Sequence, residues 1–100
     1  MTRKELLAKM RAYPEFYRKV WLACLGIKPG ETRSYKWVAE RIGSPRAARA
    51  VALALKRNPF APVVPCHRVI RSDGSTGGYS GPGGAAAKAR MLREEKGRRE

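Results

Sequence analysis

The stretch that decides the fold runs from Ser34 to Arg57 and reads SYKWVAERIGSPRAARAVALALKR. Its first serine can cap a short helix that Gly43 ends. Ser44-Pro45 then predicts the start of a second helix, because serine caps free amides and proline fits the first helical position. This helix is expected to continue to about Asn58, where Pro59 forbids continuation. Two short helices joined by a tight, glycine-containing turn predict a helix-turn-helix.

On the amino-terminal side, an apolar pattern at helical spacing precedes this motif. Phe16, Val20 and Cys24 recur at four-residue steps, which predicts an amphipathic helix that ends near Gly26 and keeps Cys24 in the core. Pro29-Gly30 predicts a turn between that helix and the motif.

On the carboxyl-terminal side, the chain becomes poorer in helix formers. Pro62–Pro65 is predicted to be extended, and Val69-Ile70 suits a short strand. Residues 73–84 hold six glycines and predict a loop. A last helix is expected from Ala85 to about Lys96, with Gly97 as its stop. The fold class expected is α+β and mostly helical: a winged-helix-like domain with a helix-turn-helix and a small wing or loop.

The charge balance indicates a polyanionic partner. The chain has 22 Lys and Arg against 8 Asp and Glu, a formal net charge of +14, and a field of that sign attracts nucleic acid. A heat-adapted surface rich in ion pairs is the alternative, but such surfaces usually balance their signs. The second helix of the motif mixes arginines with alanines and has no acidic residue. This composition also fits simple helix propensity.

The two cysteines restrict the class of protein and its compartment. Cys24 and Cys66 are too few for a disulfide framework, and with the single histidine, His67, they do not complete a usual four-ligand zinc site. The first ten residues are charged and lack the apolar run of a signal peptide or membrane span. We therefore expect a reduced, intracellular protein of the cytoplasm or nucleoid, with no metal and no membrane partner.

Cys66, His67 and Arg68 are the residues best suited to chemistry, because a neighbouring histidine or basic group favours the nucleophilic thiolate. Neighbours in an extended segment point to opposite sides, so a thiol–imidazole contact would need a bridging water or a sharp turn. A lone cysteine is also often only a small buried apolar residue.

The string Val64–Ile70, VPCHRVI, closely resembles the active-site signature of the O6-alkylguanine-DNA alkyltransferases. Ser34-Tyr35 and Pro45–Val51 resemble the DNA-reading helices of that family, Asn58-Pro59 its hinge, and Gly77–Gly81 its substrate loop. Lys88, Leu92 and Glu95 also fall where the family's last helix places them. The resemblance extends from Phe16 to Glu95, which suggests a short extension at 1–15, the domain at 16–97 and a frayed tail at 98–100.

The resemblance implies that Cys66 accepts an alkyl group from a damaged guanine, once per molecule and without a cofactor. It implies that His67 takes the thiol proton through a water and that Glu95 orients His67. Asn58 would brace the active-site segment, and Tyr35 would donate to the leaving guanine.

The resemblance also implies that the damaged base is flipped out of the duplex from the minor groove. Arg49 would fill the gap, Tyr35 would push the phosphate, and small alanines would allow close approach. The predicted DNA-contacting residues are Ser34, Tyr35, Arg46, Ala48, Arg49 and Ala52. The predicted pocket residues are Leu55, Val69, Gly77, Gly78, Tyr79 and Ser80.

Purely structural roles remain open for three of these residues. Glu95 can be an exposed partner for Arg93 or Arg99, Asn58 can be a helix cap, and Arg49 can belong to a solvated face.

The chain departs from the family pattern in three places. It has only about fifteen residues where most members carry a further amino-terminal domain, Ala52 stands for a usual glycine, and the loop before Lys88 looks slightly long. We expect a monomer that binds duplex DNA carrying O-alkylated guanine. One alternative is an alkyltransferase-like protein, a class that lacks the acceptor cysteine and flags lesions for excision repair. A helix-turn-helix regulator is the other.

Overall fold

The computed structural model describes residues 1–74 and 83–98. Within these residues the chain forms α-helices and two two-residue strands, in agreement with the predicted mostly helical α+β fold. The elements, in chain order, are α1 (Arg3–Met10), α2 (Glu15–Leu25), β1 (Arg33–Ser34), α3 (Tyr35–Arg41), α4 (Ala48–Lys56), a 3-10 helix (Cys66–Arg68), β2 (Val69–Ile70) and α5 (Gly84–Arg98).

The core lies between α2 and the α3–α4 pair. Trp21 of α2 is fully buried, and its indole nitrogen donates to the Ala54 carbonyl of α4 at 3.0 Å. The rings of Tyr13 and Phe60 stand edge-on to Trp21, with centroids at 5.1 and 5.6 Å. Such pairs add to the free energy of burying a large ring. The predicted helix ending near Gly26 and the burial of Cys24 are both confirmed.

The helix-turn-helix prediction is confirmed, and local signals explain its first half. The hydroxyl of Ser34 accepts from the Trp37 amide at 2.9 Å, as the predicted cap requires. After α3, Gly43 has a φ of +81°, a region that glycine enters without steric cost. The chain can therefore turn sharply from α3 into the approach to α4.

The second helix of the motif begins later than predicted. Ser44-Pro45 does not start α4, which runs only from Ala48 to Lys56. The Ser44 amide donates to the Ala39 carbonyl at 2.8 Å, and the Ser44 carbonyl accepts from the Ala47 amide at 2.9 Å. Ser44 is therefore fixed in a turn packed against α3, and the prediction of a helix from Ser44 to Asn58 was too long at both ends.

The extended conformation predicted for Pro62–Pro65 was wrong. Residues 59–63 form turns, and the Val64 amide donates to the Phe60 carbonyl at 3.0 Å. Prolines and valines suit extended backbone locally, but the side chain of Asn58 holds this segment folded through bonds to Phe60 and Val64.

The predicted strand Val69–Ile70 is confirmed, and its partner is β1. The two strands are parallel, with Arg33 opposite Val69 and Ser34 opposite Ile70. This pairing sets the amino terminus of α3 beside the segment that follows Cys66.

The two ends of the chain are more helical than the sequence indicated. Residues 1–15 include α1, whose Leu6 and Met10 are each 1% exposed and belong to the core. At the other end α5 continues through Gly97, so the predicted stop there was wrong, since one glycine costs a helix only about 1 kcal/mol. No helix in the described residues is long and apolar enough to cross a membrane.

Candidate active site and nucleic-acid interface

Cys66 opens the 3-10 helix and is 3% exposed. The Cys66 amide donates to the Val64 carbonyl at 2.8 Å, and the Arg68 amide donates to the Pro65 carbonyl at 3.0 Å. The backbone at Cys66 is therefore a tight turn. Cys66 and His67 are therefore not extended neighbours whose side chains point to opposite sides. A sharp turn is one of the two arrangements, with a bridging water, that would allow a thiol–imidazole contact.

His67 and Glu95 meet across the domain, although 28 residues separate them in the chain. His67 Nε2 lies 3.0 Å from Glu95 Oε1, and His67 is 1% exposed. Burial lowers the pKa of His67 below its ordinary value, even though the nearby Glu95 acts to raise it. The imidazole is therefore neutral at neutral pH, as a proton acceptor must be.

The charge of Glu95 fixes the tautomer of that imidazole. Burial acts to raise the pKa of Glu95, but hydrogen bonds from Arg68 and His67 outweigh it, and the net pKa is lowered. An ionised carboxylate only accepts hydrogen bonds, so Nε2 of His67 carries the proton that it donates. The nitrogen that can take a further proton is then Nδ1.

Arg68 holds Glu95 in place, a role that the sequence reading did not foresee. Its Nε and Nη2 donate to Glu95 Oε1 and Oε2 at distances from 2.6 to 3.2 Å, and its Nη1 donates to the Ile27 carbonyl at 2.7 Å. Arginine suits this task because its planar fork matches a carboxylate. Among the described residues the partners of Glu95 are His67 and Arg68 rather than Arg93, and Arg99 lies outside the described residues.

Asn58 is buried and folds the segment before Cys66. Its Nδ2 donates to the Val64 carbonyl at 3.1 Å, and its Oδ1 accepts from the Phe60 amide at 2.8 Å. The position that follows Lys56 as the α4 cap is Arg57. These contacts fit the predicted brace better than a helix cap.

Lys88 is a second residue whose role was not predicted, since only the family resemblance pointed to it. It is 1% exposed, and its Nζ donates to the Val69 carbonyl at 2.7 Å. The Tyr35 hydroxyl lies 3.5 Å from the same nitrogen, which also sits 5.7 Å from the Tyr35 ring centroid. Burial lowers the pKa of Lys88 to about 8, although the charge of Cys66 opposes the shift. The run AAAKA around it was the available signal: a lone lysine among small residues.

Tyr35 is half-buried at the start of α3, beside Lys88. Burial is the main reason that the pKa of its phenol is raised, with Arg71 acting in the opposite direction. The hydroxyl is therefore protonated at neutral pH and can donate a hydrogen bond.

The predicted DNA-contacting residues lie on α4, in the turn before it and at the start of α3. Arg46 in the turn and Arg49 on α4 are exposed, and Ala48 and Ala52 are half-buried on α4. Among the described residues Arg49 makes no salt bridge, in contrast to Lys19 and Arg90. Ser34 is half-buried, and its hydroxyl is already used to cap α3. The face is basic and has small side chains, as a helix approaching DNA requires.

The predicted pocket is only partly within the described residues. Leu55 is 5% exposed and Val69 is fully buried, so both belong to the core near Cys66. Gly77, Gly78, Tyr79 and Ser80 lie outside the described residues, as do the last two residues of the predicted tail.

The chain is similar to several known proteins in sequence and in structure. A methylated-DNA--protein-cysteine methyltransferase from Mycobacterium leprae is 54% identical over 82 residues, which are 82% of this chain and 48% of that protein. The crystal structure of Mycobacterium tuberculosis OGT in complex with DNA superposes with a TM-score of 0.82 at 50% identity, covering 86% of this chain and 52% of that one. S. pombe Atl1, in complex with damaged DNA containing O6-carboxymethylguanine, has a TM-score of 0.72 at 36% identity, covering 81% of this chain and 75% of that one.

The family comparison confirms the resemblance seen in the sequence. The chain spans about half the length of these curated relatives. The model of the DNA-binding domain of 6-O-methylguanine DNA methyltransferase matches residues 15–97. Because that match includes most of the sequence, the chain belongs to the 6-O-methylguanine DNA methyltransferase family through its DNA-binding domain.

Proposed function

We propose that this protein repairs duplex DNA by transferring the alkyl group of an O6-alkylated guanine to the sulfur of Cys66. The observation that carries the proposal is the array of His67 and Arg68, which follow Cys66 in the same tight turn, with Glu95 of α5, which both side chains contact. We assign this activity to residues 16–97, acting as a monomer, once per molecule, in the compartment that holds DNA.

The thiol reacts after it loses its proton. Neutral His67, oriented by ionised Glu95, accepts that proton through a water, and the thiolate attacks the alkyl carbon in line. The sulfur–carbon bond forms as the carbon–oxygen bond to guanine breaks, so the electron pair leaves on the base. Asn58 keeps the turn before Cys66 folded, which holds the sulfur in one position.

The leaving guanine gains negative charge, and a hydrogen-bond donor lowers the free energy of that charge. Tyr35 is a protonated donor at neutral pH, because its pKa is raised by burial. The Lys88 ammonium lies 3.5 Å from the Tyr35 oxygen, and an ammonium donating to a phenol makes the phenol a stronger donor in turn. Lys88 is thus a positioning residue that acts through Tyr35.

The substrate is alkylated guanine within duplex DNA, reached by base flipping. The net charge of +14 supports contact with phosphates, and exposed Arg49 is the side chain suited to fill the vacated stack. Two solved relatives support a DNA partner, since M. tuberculosis OGT and S. pombe Atl1 were both captured with DNA.

The direct test is the intact mass of the protein after incubation with duplex DNA containing O6-methylguanine. We expect one added methyl group, about 14 Da, on the peptide that contains Cys66, because the sulfur is the final acceptor. Cys24→Ser should still gain the methyl, and Cys66→Ser should not. A methyl on any other residue, or none on Cys66, would contradict the proposal.

The second candidate function is recognition of the lesion without transfer. It is favoured by one observation: S. pombe Atl1, solved in complex with damaged DNA containing O6-carboxymethylguanine, is 36% identical with a TM-score of 0.72. The same experiment separates the two functions. Tight binding of the methylated duplex with no gain of mass supports recognition alone.

Arg49 tests the flipping step. We expect Arg49→Ala to slow transfer from duplex DNA by about tenfold or more, since filling the gap offsets a few kcal/mol of unstacking. Transfer from the free O6-methylguanine base should change by less than about twofold, because no stack is opened. Single-turnover rates on both substrates measure this, with exposed Arg41→Ala as the matched loss of charge. Equal losses on both substrates would refute a flipping role.

A further inference from the structure

A groove lies between α1 and α2, built from residues that play no part in the proposed alkyl transfer. It encloses about 360 Å³. Its apolar lining is Leu7, Met10 and Leu22. Its charged lining is predominantly basic, with Arg11, Arg18 and Lys19 against one acidic residue, Glu15.

The apolar part of the groove is open to solvent. Leu7 is 39% exposed and Leu22 is 41% exposed, and they project from different helices into the same groove. Solitary exposed leucines are ordinary, but paired leucines lining a concave site with a polar rim are typical of a binding surface.

Arg18 supplies an observation that points to an acceptor. Its Nε is buried yet has no hydrogen-bond partner among the described residues. A buried guanidinium donor without an acceptor costs free energy that a carboxylate would recover. Lys19, by contrast, already has an acidic partner within the groove lining, since its Nζ lies 3.4 Å from Glu15 Oε1.

The groove depends on α1, which lies outside the residues matched by the family model. The transfer chemistry is assigned to Cys66 and the segments around it. The groove therefore combines α1, outside the matched residues, with α2 of the matched domain, and a ligand there need not compete with DNA.

We propose that this groove binds an acidic amphipathic helix of another protein. Apolar side chains of that helix lie between Leu7 and Leu22, and one of its carboxylates accepts from Arg18. Helix-in-groove recognition has this form, with apolar anchors on one face and charges beside them. Duplex DNA has phosphates for the arginines but no apolar side chains for the leucines. A second copy of this chain carries a net charge of +14 and repels the first.

The experiment uses the full chain and a synthetic 16-residue peptide with leucines at helical spacing on one face and glutamates elsewhere. A scrambled peptide of the same composition is the control, because any acidic peptide is attracted to so basic a protein. Binding is measured by fluorescence anisotropy at physiological salt, and the site is mapped by amide chemical shifts. We expect the amphipathic peptide to bind at least tenfold more tightly and to shift residues of α1 and α2.

Variants locate the interaction. Arg18→Gln should weaken binding about tenfold, the usual effect of losing a hydrogen bond to a charged group, and Leu22→Glu should abolish it. Lys4→Gln and Val63→Ser, which change exposed residues outside the groove, should leave binding unchanged. Thermal unfolding checks that each variant is folded. If Leu22→Glu does not fold, the binding measured with Arg18→Gln still tests the proposed groove.

Three results would overturn the proposal. They are equal binding of the scrambled peptide, displacement of the peptide by unmodified duplex DNA, and a dimer in solution that Leu22→Glu dissociates. Alkyl transfer by Arg18→Gln should match that of the unchanged protein, so the groove can fail this test while the proposed repair function stands.

Discussion

The surroundings of the two cysteines differ far more than their exposure does. Cys24 is fully buried and Cys66 is 3% exposed. Cys24 lies on the apolar face of α2, where burial, with a further contribution from the charge of Cys66, raises the pKa of its thiol to about 12. Such a thiol stays protonated and unreactive under physiological conditions.

Cys66 occupies a tight turn whose next two residues reach Glu95. A proton acceptor, the carboxylate that orients it and the arginine that holds the carboxylate are all supplied within this cluster. Low exposure therefore does not separate structural Cys24 from the proposed nucleophile, Cys66. The polar cluster formed by Glu95 and the two residues after Cys66 makes that distinction.

The largest effect should come from Glu95→Gln, which keeps the shape of the side chain and removes its charge. We expect the single-turnover rate of transfer to Cys66 to fall about 100-fold, since His67 loses the carboxylate that fixes its tautomer. Glu94→Gln is the matched control, because Glu94 is exposed and only 3.9 Å from Arg90 in a weak surface pair. Equal rates for Glu95→Gln and Glu94→Gln would show that the cluster around Glu95 does not distinguish Cys66 from Cys24.

Lys88→Met should have a smaller effect, about tenfold at neutral pH, through the loss of one charged hydrogen bond to Tyr35. The pH profile gives the sharper result. The lowered pKa of about 8 means that Lys88 is a cation below that pH and loses its charge as the pH rises through it. The unchanged protein should therefore transfer more slowly above pH 8, and Lys88→Met should lack this decline. Exposed Lys96→Met on the same helix controls for charge, and an identical decline in both variants would remove Lys88 from the reaction.

Cys24→Ser should affect stability and leave the reaction intact. We expect the free energy of unfolding in urea to fall by about 1–3 kcal/mol, because a hydroxyl replaces a thiol at a fully buried apolar position. Cys24→Ala, which removes the sulfur without adding a polar group, is the comparison for packing alone. A reduced transfer rate in a folded Cys24→Ser protein would show that the two thiols are not separate in function.

Local signals explain which parts of the fold were predictable. The Ser34 cap, the Gly43 turn and the apolar face ending at Gly26 depend on neighbours within a few residues, and all three are present. The start of α4 and the path of Pro62–Pro65 are decided by bonds from Ala39 and Asn58, which no local propensity contains.

The candidate site likewise depends on contacts between residues far apart in the chain, which local sequence patterns do not predict. His67 and Glu95 were paired in advance only through the resemblance to a family, since residues 28 apart give no spacing signal. The roles of Arg68 and Lys88 were not predicted, because they depend on partners far away in the chain, Ile27 and Tyr35. The pocket role of Gly77, Gly78, Tyr79 and Ser80, which lie outside the described residues, stays a prediction.

The parallel pair of β1 and β2 has a consequence for the proposed repair reaction, because it links two parts of the site. It bonds the backbone just before α3, the helix that would meet the target phosphate, to the backbone three residues after the sulfur. A rigid link this short leaves little room for one side to move without the other. In the proposed reaction, damage recognition and alkyl transfer are therefore linked through this backbone, and a duplex that seats badly on the helices would also misalign Cys66.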